Sequence, residues 1–170
     1  MEDKIRESLK RAFDGEAKAS VRLKVFADKA DKEGYPQIAE LFRVIAASEE
    51  IHGMRALRLL RDIGSTEENL AASFESEESV ARVAYNEFIR EAMEAGNKAA
   101  TIYFTQSRDV EETHAKLYKE ALNFMSSDRE ASYYLCGFCG YVSADTLPDT
   151  CPVCGAKKEK FYEYRSMACR

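Results

Sequence analysis

Residues 45–59 read Ile45-Ala-Ala-Ser-Glu49-Glu-Ile-His52-Gly-Met-Arg-Ala56-Leu-Arg-Leu59, and residues 104–118 read Phe104-Thr-Gln-Ser107-Arg-Asp-Val-Glu111-Glu-Thr-His114-Ala-Lys-Leu-Tyr118. Around them, Ile38, Leu41, Ile45, Ala56 and Leu59 in one segment, and Ala100, Phe104, Ser107 and Tyr118 in the other, recur at helical spacing. That pattern predicts a stripe facing a core. In each stripe a Glu-x-x-His pair, Glu49/His52 or Glu111/His114, stands where apolar residues belong. A carboxylate on a buried face is costly unless it is paired or holds a metal. Both helices are therefore expected to carry ligands inward.

Punctuation elsewhere completes the helical set. Gly34-Tyr35-Pro36, Gly64-Ser65-Thr66 and Gly96-Asn97 break the first 125 residues into segments near 3–33, 36–63, 66–95 and 97–125. Ser65 with Glu68 fits a capping box at the third start. Four long helices with short connections predict an antiparallel four-helix bundle. The halves repeat: Gly96 follows Gly34, Glu111 follows Glu49 and His114 follows His52 by 62 positions, while Glu77 follows Glu16 by 61. With each turn as a ruler, Glu16, Glu49, Glu77 and Glu111 reach nearly the same height, with His52 and His114 one turn along. Four carboxylates balance two divalent cations, and four Glu with two His are the ligand set of a carboxylate-bridged di-iron or di-manganese site. Glu50 and Glu112 fall on solvated faces. For the third helix, the Phe-x-x-Glu match selects Glu77, whereas an unbroken 62-residue offset selects Glu78.

All five cysteines lie beyond residue 135. Cys136-Gly-Phe-Cys139 and Cys151-Pro-Val-Cys154 each form a Cys-x-x-Cys turn, and two such turns close a tetrahedral four-sulfur shell for zinc or iron. Cys169 stands apart as a bystander thiol. A tail of about 40 residues needs a metal or disulfides to hold its fold, and nothing indicates the secretion that would favour disulfides. The domains are thus expected at 1–128 and 129–170, with the linker starting at Ser126-Ser127-Asp128. Net charge is −5, which argues against nucleic acid as partner. No apolar run approaches the roughly 20 residues of a membrane span. The charged start Met1-Glu2-Asp3-Lys4 is unlike a signal peptide, so a cytoplasmic protein is expected.

From about Leu9 to Tyr164 the chain resembles the rubrerythrins. The resemblance rests on Gly15-Glu16, Glu49-Glu50-Ile51-His52, Glu111-Glu112-Thr113-His114, Cys136-Gly-Phe-Cys139-Gly-Tyr and Cys151-Pro-Val-Cys154-Gly. Gly34-Tyr35-Pro36-Gln37-Ile38-Ala39 and Glu68-Asn69-Leu70 match as well. It implies a mainly α, ferritin-like bundle followed by a small rubredoxin-like β/loop module. The implied function is a non-haem di-iron peroxidase that reduces hydrogen peroxide to water. One iron in a four-cysteine, rubredoxin-type site would relay electrons from a reductase or rubredoxin. A homodimer is also implied, in which one subunit's rubredoxin iron serves the partner's di-iron site; some members exchange helices.

Two positions depart from the family pattern. Val80 stands where a second glutamate normally follows the first ligand of the third helix, and Leu23 stands where a tyrosine is common. The tyrosine's counterpart on the third helix is kept as Tyr85, a hydrogen-bonding neighbour of the site in the family's pattern. Without the extra glutamate the ligand set is symmetric, which leaves a ferroxidase or oxidase acting on Fe(II) and O2 as an alternative. A non-catalytic electron-transfer or metal-binding protein is the third reading.

Overall fold

The computed structural model describes residues 2–125 and 131–164. The expected linker at Ser126-Ser127-Asp128, the boundary after residue 128, and Cys169 lie outside the described residues. Contacts divide the chain into two compact units, Met1–Gly64 and Ser65–Arg170. No helix among the described residues is long and apolar enough to cross a membrane.

The first unit is a helical hairpin of α1 (Asp3–Lys32) and α2 (Pro36–Leu60). Its turn is closed by hydrogen bonds from the Gly34 N–H to the Asp31 carbonyl (3.0 Å) and the Tyr35 N–H to the Ala30 carbonyl (2.9 Å). Pro36 then opens α2 at a position that needs no N–H. The buried side of α2 is Ala39, Ala46, Gly53 and Leu60, a seven-residue recurrence of mostly small residues, with Ala56 beside it. Opposite them on α1 the buried residues are Ser20, Ala27 and Ala30. Small residues let the two backbones approach closely; a Cβ on Gly53 would lie 3.7 Å from the Cβ of Glu16.

This corrects the expected stripe. Ile38 (46% exposed), Leu41 (54%) and Leu59 (62%) lie outside the hairpin's interface. The reason is geometric: one neighbouring helix covers only one side of a helix, and the small-residue side wins because it packs closest.

The second unit begins with α3 (Thr66–Ser79), a π-helical turn (Val80–Ala84) and α4 (Tyr85–Glu94), which run on as one helix. The capping box is present: the Glu68 N–H donates to Ser65 Oγ (3.2 Å), and the Ser65 N–H donates to Glu68 Oε2 (2.7 Å). Helix α5 (Lys98–Phe124) is capped by Asn97, whose Oδ1 accepts from the Ala100 N–H at 3.1 Å. It packs along α3, the π turn and α4. The tail is a three-stranded antiparallel sheet of β1 (Tyr133–Cys136), β2 (Val142–Ala144) and β3 (Phe161–Glu163), in the order β2-β1-β3. Leu135 pairs with Val142 on one side and with Tyr162 on the other.

The π turn explains the uneven repeat. Glu16 lies 18 residues before Gly34, but Glu77 lies 19 before Gly96. The Tyr85 N–H reaches back five residues to the Val80 carbonyl, and such a turn holds one residue more than an α turn. The extra residue is absorbed there, so Glu77 keeps the facing that Glu16 has. Glu78 is turned aside and pairs with Arg82 at 3.1 Å. Deleting the exposed Val83 should therefore convert the bulge to plain α-helix and leave Glu77 in register. Metal stoichiometry is expected to be unchanged and the melting temperature to move by only about 3 °C, or roughly 1 kcal/mol. Inserting an alanine after Val83 should rotate Glu77 by about 100° and abolish metal binding there at unchanged helical circular dichroism.

Candidate metal centres

Each unit gathers three of the six expected ligands. Glu16 on α1 meets Glu49 and His52 on α2, and Glu77 on α3 meets Glu111 and His114 on α5. Within each trio the ligating atoms lie within 4.8 Å of one another. The trios share a pattern: His52 Nδ1 is 3.0 Å from Glu49 Oε2, and His114 Nδ1 is 2.9 Å from Glu111 Oε2. Both follow from the helical i, i+3 spacing. His52 Nδ1 also lies 3.9 Å from Glu16 Oε1.

The carboxyl groups meet in close pairs, and the pairing shifts their titration. The hydrogen bond to Glu49 raises the pKa of Glu16, with burial and the Glu49 charge adding and His52 opposing. Glu49 is correspondingly lowered, by its hydrogen bonds to Glu16 and then to His52. In the second trio, burial first, then the hydrogen bond and charge of Glu111, raise Glu77. Two carboxylates this close cannot both ionise comfortably until a cation takes the proton's place. Hard oxygens with imidazole nitrogen suit iron or manganese. The donor chemistry fits the group. Glu50 faces away, its carboxylate 3.3 Å from Lys24 Nζ, and Glu112 is exposed.

Tyr85 opens α4 directly after the π turn. Its hydroxyl is hydrogen-bonded to Ser107 and lies in the field of Glu111 and Glu77; burial pushes its pKa up. Ser107 was visible in the sequence only as a small polar residue on an apolar stripe, one turn before Glu111. That position was a usable signal, but it gave no role. Half-buried Val80 begins the π turn and offers no ligand atom.

The tail cysteines converge as expected. Cys136 Sγ and Cys154 Sγ are 3.8 Å apart, and Cys139 Sγ and Cys151 Sγ are 3.7 Å apart. A tetrahedron with metal–sulfur bonds of about 2.3 Å has edges of about 3.8 Å, so the spacing fits an ion and exceeds any disulfide. The two turns are built alike. The Cys136 N–H donates to the Tyr141 carbonyl (2.8 Å) and the Gly140 N–H to the Cys136 carbonyl (3.0 Å). The Cys151 N–H donates to the Ala156 carbonyl (2.7 Å) and the Gly155 N–H to the Cys151 carbonyl (2.9 Å). Gly140 (φ 84°) and Gly155 (φ 74°) take the left-handed conformation these turns require. Burial pushes the Cys139 and Cys154 thiols up. At Cys136 burial acts in the same direction, but the Cys139 and Phe138 N–H groups overcome it and lower the thiol.

Mirrored carboxylate–imidazole trios on helical hairpins, followed by a four-cysteine shell, define a class: proteins that join a ferritin-like dimetal domain to a rubredoxin-like module. Residues 7–122 match the rubrerythrin family and residues 134–162 the rubrerythrin rubredoxin-like domain; the chain belongs to the rubrerythrin family. It is 32% identical to nigerythrin of Nitratidesulfovibrio vulgaris, over 93% of this chain and 85% of that one. It is 33% identical to a rubrerythrin of Porphyromonas gingivalis, over 89% and 85%, and 28% identical to rubrerythrin-2 of Clostridium acetobutylicum, over 92% and 94%. The structure of fully reduced, all-ferrous nigerythrin superposes with a TM-score of 0.58 at 32% identity, covering 94% of this chain and 86% of that one. The cysteine set is a rubredoxin-type site, and each trio offers carboxylate and imidazole ligands of the kind a di-iron site uses.

Two outcomes follow for the metal sites. Glu49→Ala or Glu111→Ala should remove the paired metals, while Glu50→Ala and Glu112→Ala, about 100° around the helix, should leave stoichiometry intact; metal analysis of the purified variants decides. A cation must also compete with protons at Glu16 and Glu77, whose pKa values are raised. Because those pKa values are raised, the proton is present at the acid side and lost as pH rises. Mn(II) affinity of the metal-free carboxylate sites should accordingly increase with pH through the raised carboxylate range and then level off, with proton release detectable in weak buffer.

Proposed function

We propose that the protein reduces hydrogen peroxide to water at a two-iron site supplied by Glu16, Glu49, His52, Glu77, Glu111 and His114. The iron held by the four tail cysteines would return the electrons from a reductase or rubredoxin. The observation that carries this reading is the presence, in one chain, of a two-metal ligand set and a one-electron centre. A relay is useful only if the carboxylate site is repeatedly re-reduced, which storage does not need. Residues 1–128 form the reacting domain in this reading and residues 129–170 the relay, in a cytoplasmic homodimer.

The bound iron pair supplies two electrons, and the protein supplies geometry and protons. Glu49, Glu111, Glu16 and Glu77 would hold the metals and balance their charge. His52 and His114 would each offer one ring nitrogen to a metal, with the carboxylates one turn earlier orienting the rings. Tyr85 carries its proton at neutral pH as an ordinary tyrosine does, and burial raises its pKa further. Its hydroxyl, held by Ser107, donates a hydrogen bond to a bound peroxide oxygen.

One observation favours a second reading. Val80 leaves the trios with equal ligand sets, and a symmetric site suits oxidation of Fe(II) by dioxygen. Stopped-flow reoxidation of the diferrous protein separates the two. Peroxide is expected to react at least tenfold faster than O2 at equal concentration, and the reverse order would assign an oxidase. Tyr85→Phe should lower the rate with peroxide about tenfold, the loss of roughly one hydrogen bond, at unchanged iron content.

A further inference from the structure

We infer that the exposed basic turn at residues 157–160 is the surface on which an acidic one-electron carrier protein docks to reduce the cysteine-bound iron, at the edge formed by Cys154. The inference rests on the proposed function for the direction of electron flow. It adds where the carrier lands and what charge it must have.

Charge is unevenly spread along the chain. Residues 157–170 carry five Lys and Arg against two Glu, whereas residues 1–156 carry 20 Lys and Arg against 28 Asp and Glu. Lys157, Lys158 and Lys160 are all exposed, and none of them makes an ion pair among the described residues. The acids nearest in sequence are Glu159 and Asp149, which leave the turn with an excess of positive charge. Asp145, the next acid of the tail, is engaged: its Oδ1 accepts from the Ser132 N–H at 3.2 Å. An acidic partner is therefore repelled by the net charge of most of the chain and attracted at one end of it. Such polarity orients an encounter before contact is made.

The basic turn is fastened to both cysteine turns. The Lys160 carbonyl accepts from the Gly137 N–H at 2.9 Å. A Cβ on Gly137 would lie only 3.2 Å from that carbonyl oxygen, so glycine is what lets the two backbones meet. On the other side, Lys157 forms an antiparallel bridge with Thr150, the residue before Cys151, and the Lys158 N–H donates to the Asp149 carbonyl at 3.1 Å. Cys136 and Cys151 are buried, while Cys139 and Cys154 are half-buried. Cys139 lines a cavity against Ile102 and Tyr103 of α5. Cys154 is the other accessible edge, and it stands three residues before Lys157.

Electron tunnelling decays exponentially with distance, so a carrier must come into contact with the module beside a sulfur. Lysines around that edge bring an acidic surface there and hold it briefly, which raises the association rate more than the strength of the complex. The carrier loses one electron, and the ferric ion in the cysteine site becomes ferrous. No bond is made or broken and no proton moves. Two tests on the full-length protein, with iron in the cysteine site and the carboxylate sites metal-free, follow the thiolate-to-Fe(III) absorption. The first measures local charge with small ions. Lys157→Glu/Lys158→Glu/Lys160→Glu should slow oxidation of the ferrous site by anionic hexacyanoferrate(III) about tenfold at low salt and speed oxidation by cationic tris(phenanthroline)cobalt(III). At about 1 M salt, where charges are screened beyond about 3 Å, both differences should vanish.

The second test uses a protein donor, a reduced rubredoxin of net negative charge, mixed with the ferric protein. Its rate should rise as salt is lowered, and the same three substitutions should cost about tenfold and flatten the salt dependence, at unchanged iron content and circular dichroism. Lys4→Glu/Lys10→Glu/Arg11→Glu on α1 makes the same change in net charge and should leave the rate within about twofold. An unchanged rubredoxin rate in the tail variant would overturn the docking surface, even if the small ions respond. Equal losses in the tail and α1 variants would overturn it too, by assigning the effect to net charge. If the unmodified protein loaded with iron at all its sites does not consume peroxide, the proposed function falls, and the rubredoxin rates alone decide the docking surface.

Discussion

Everything about the helical part is organised around pairs of carboxyl groups pressed together on neighbouring helices. Glu16 against Glu49, and Glu77 against Glu111, would repel as anions and lose hydration as they are covered. A cation held between the members of each pair would cancel that repulsion. The close α1–α2 interface serves the same end. Small residues, Ala39, Ala46 and Gly53 on one helix with Ala27, Ala30 and Ser20 on the other, bring the two carboxyl-bearing backbones close enough to group their ligating atoms. Larger residues would strengthen hydrophobic burial and spread the ligands apart. Here binding geometry has set the packing.

The tail solves the opposite problem. Its strands are three or four residues long, too short to hold a core, so the four sulfurs act as its centre. Cys136, Cys151 and Phe161 are its buried cluster, with Tyr134 and Tyr141 packed around them. Backbone N–H groups aimed at Cys136 favour the thiolate, while burial of Cys139 and Cys154 disfavours it. The sulfur cage therefore binds metal against a desolvation cost that bound iron itself removes. Four negative sulfurs in so small a module require a cation.

Much of this was legible in the sequence because the decisive residues violate local pattern. Glu49, His52, Glu111 and His114 interrupt apolar stripes, and Gly34, Ser65 and Gly96 punctuate the helices within a few residues of their observed ends. The cysteine turns were equally plain. What could not be read was packing. Ile38, Leu41 and Leu59 scored as core because hydropathy counts size, whereas the hairpin selects smallness at seven-residue intervals. The choice between Glu77 and Glu78 was likewise beyond periodicity, since a period assumes uniform turns and Val80–Ala84 is not one. Nor could the partnership of Tyr85 with Ser107 be seen, because it joins α4 to α5 side by side and leaves no spacing signal along the chain.

The π turn separates the length of a helix from the facing of its side chains. The chain reads as two versions of one helical hairpin, alike in their glutamates, histidines and glycine turns, and differing by a single residue in the stretch that leads to the second turn. A loop can swallow an added residue without notice; a long helix cannot, because every side chain upstream would be turned about 100°. The surplus was confined to five residues, and Glu77 was left where its counterpart stands. A helix with such a wrinkle can carry one residue more than its counterpart and still present the same side chain, so length and ligand position are uncoupled at that point.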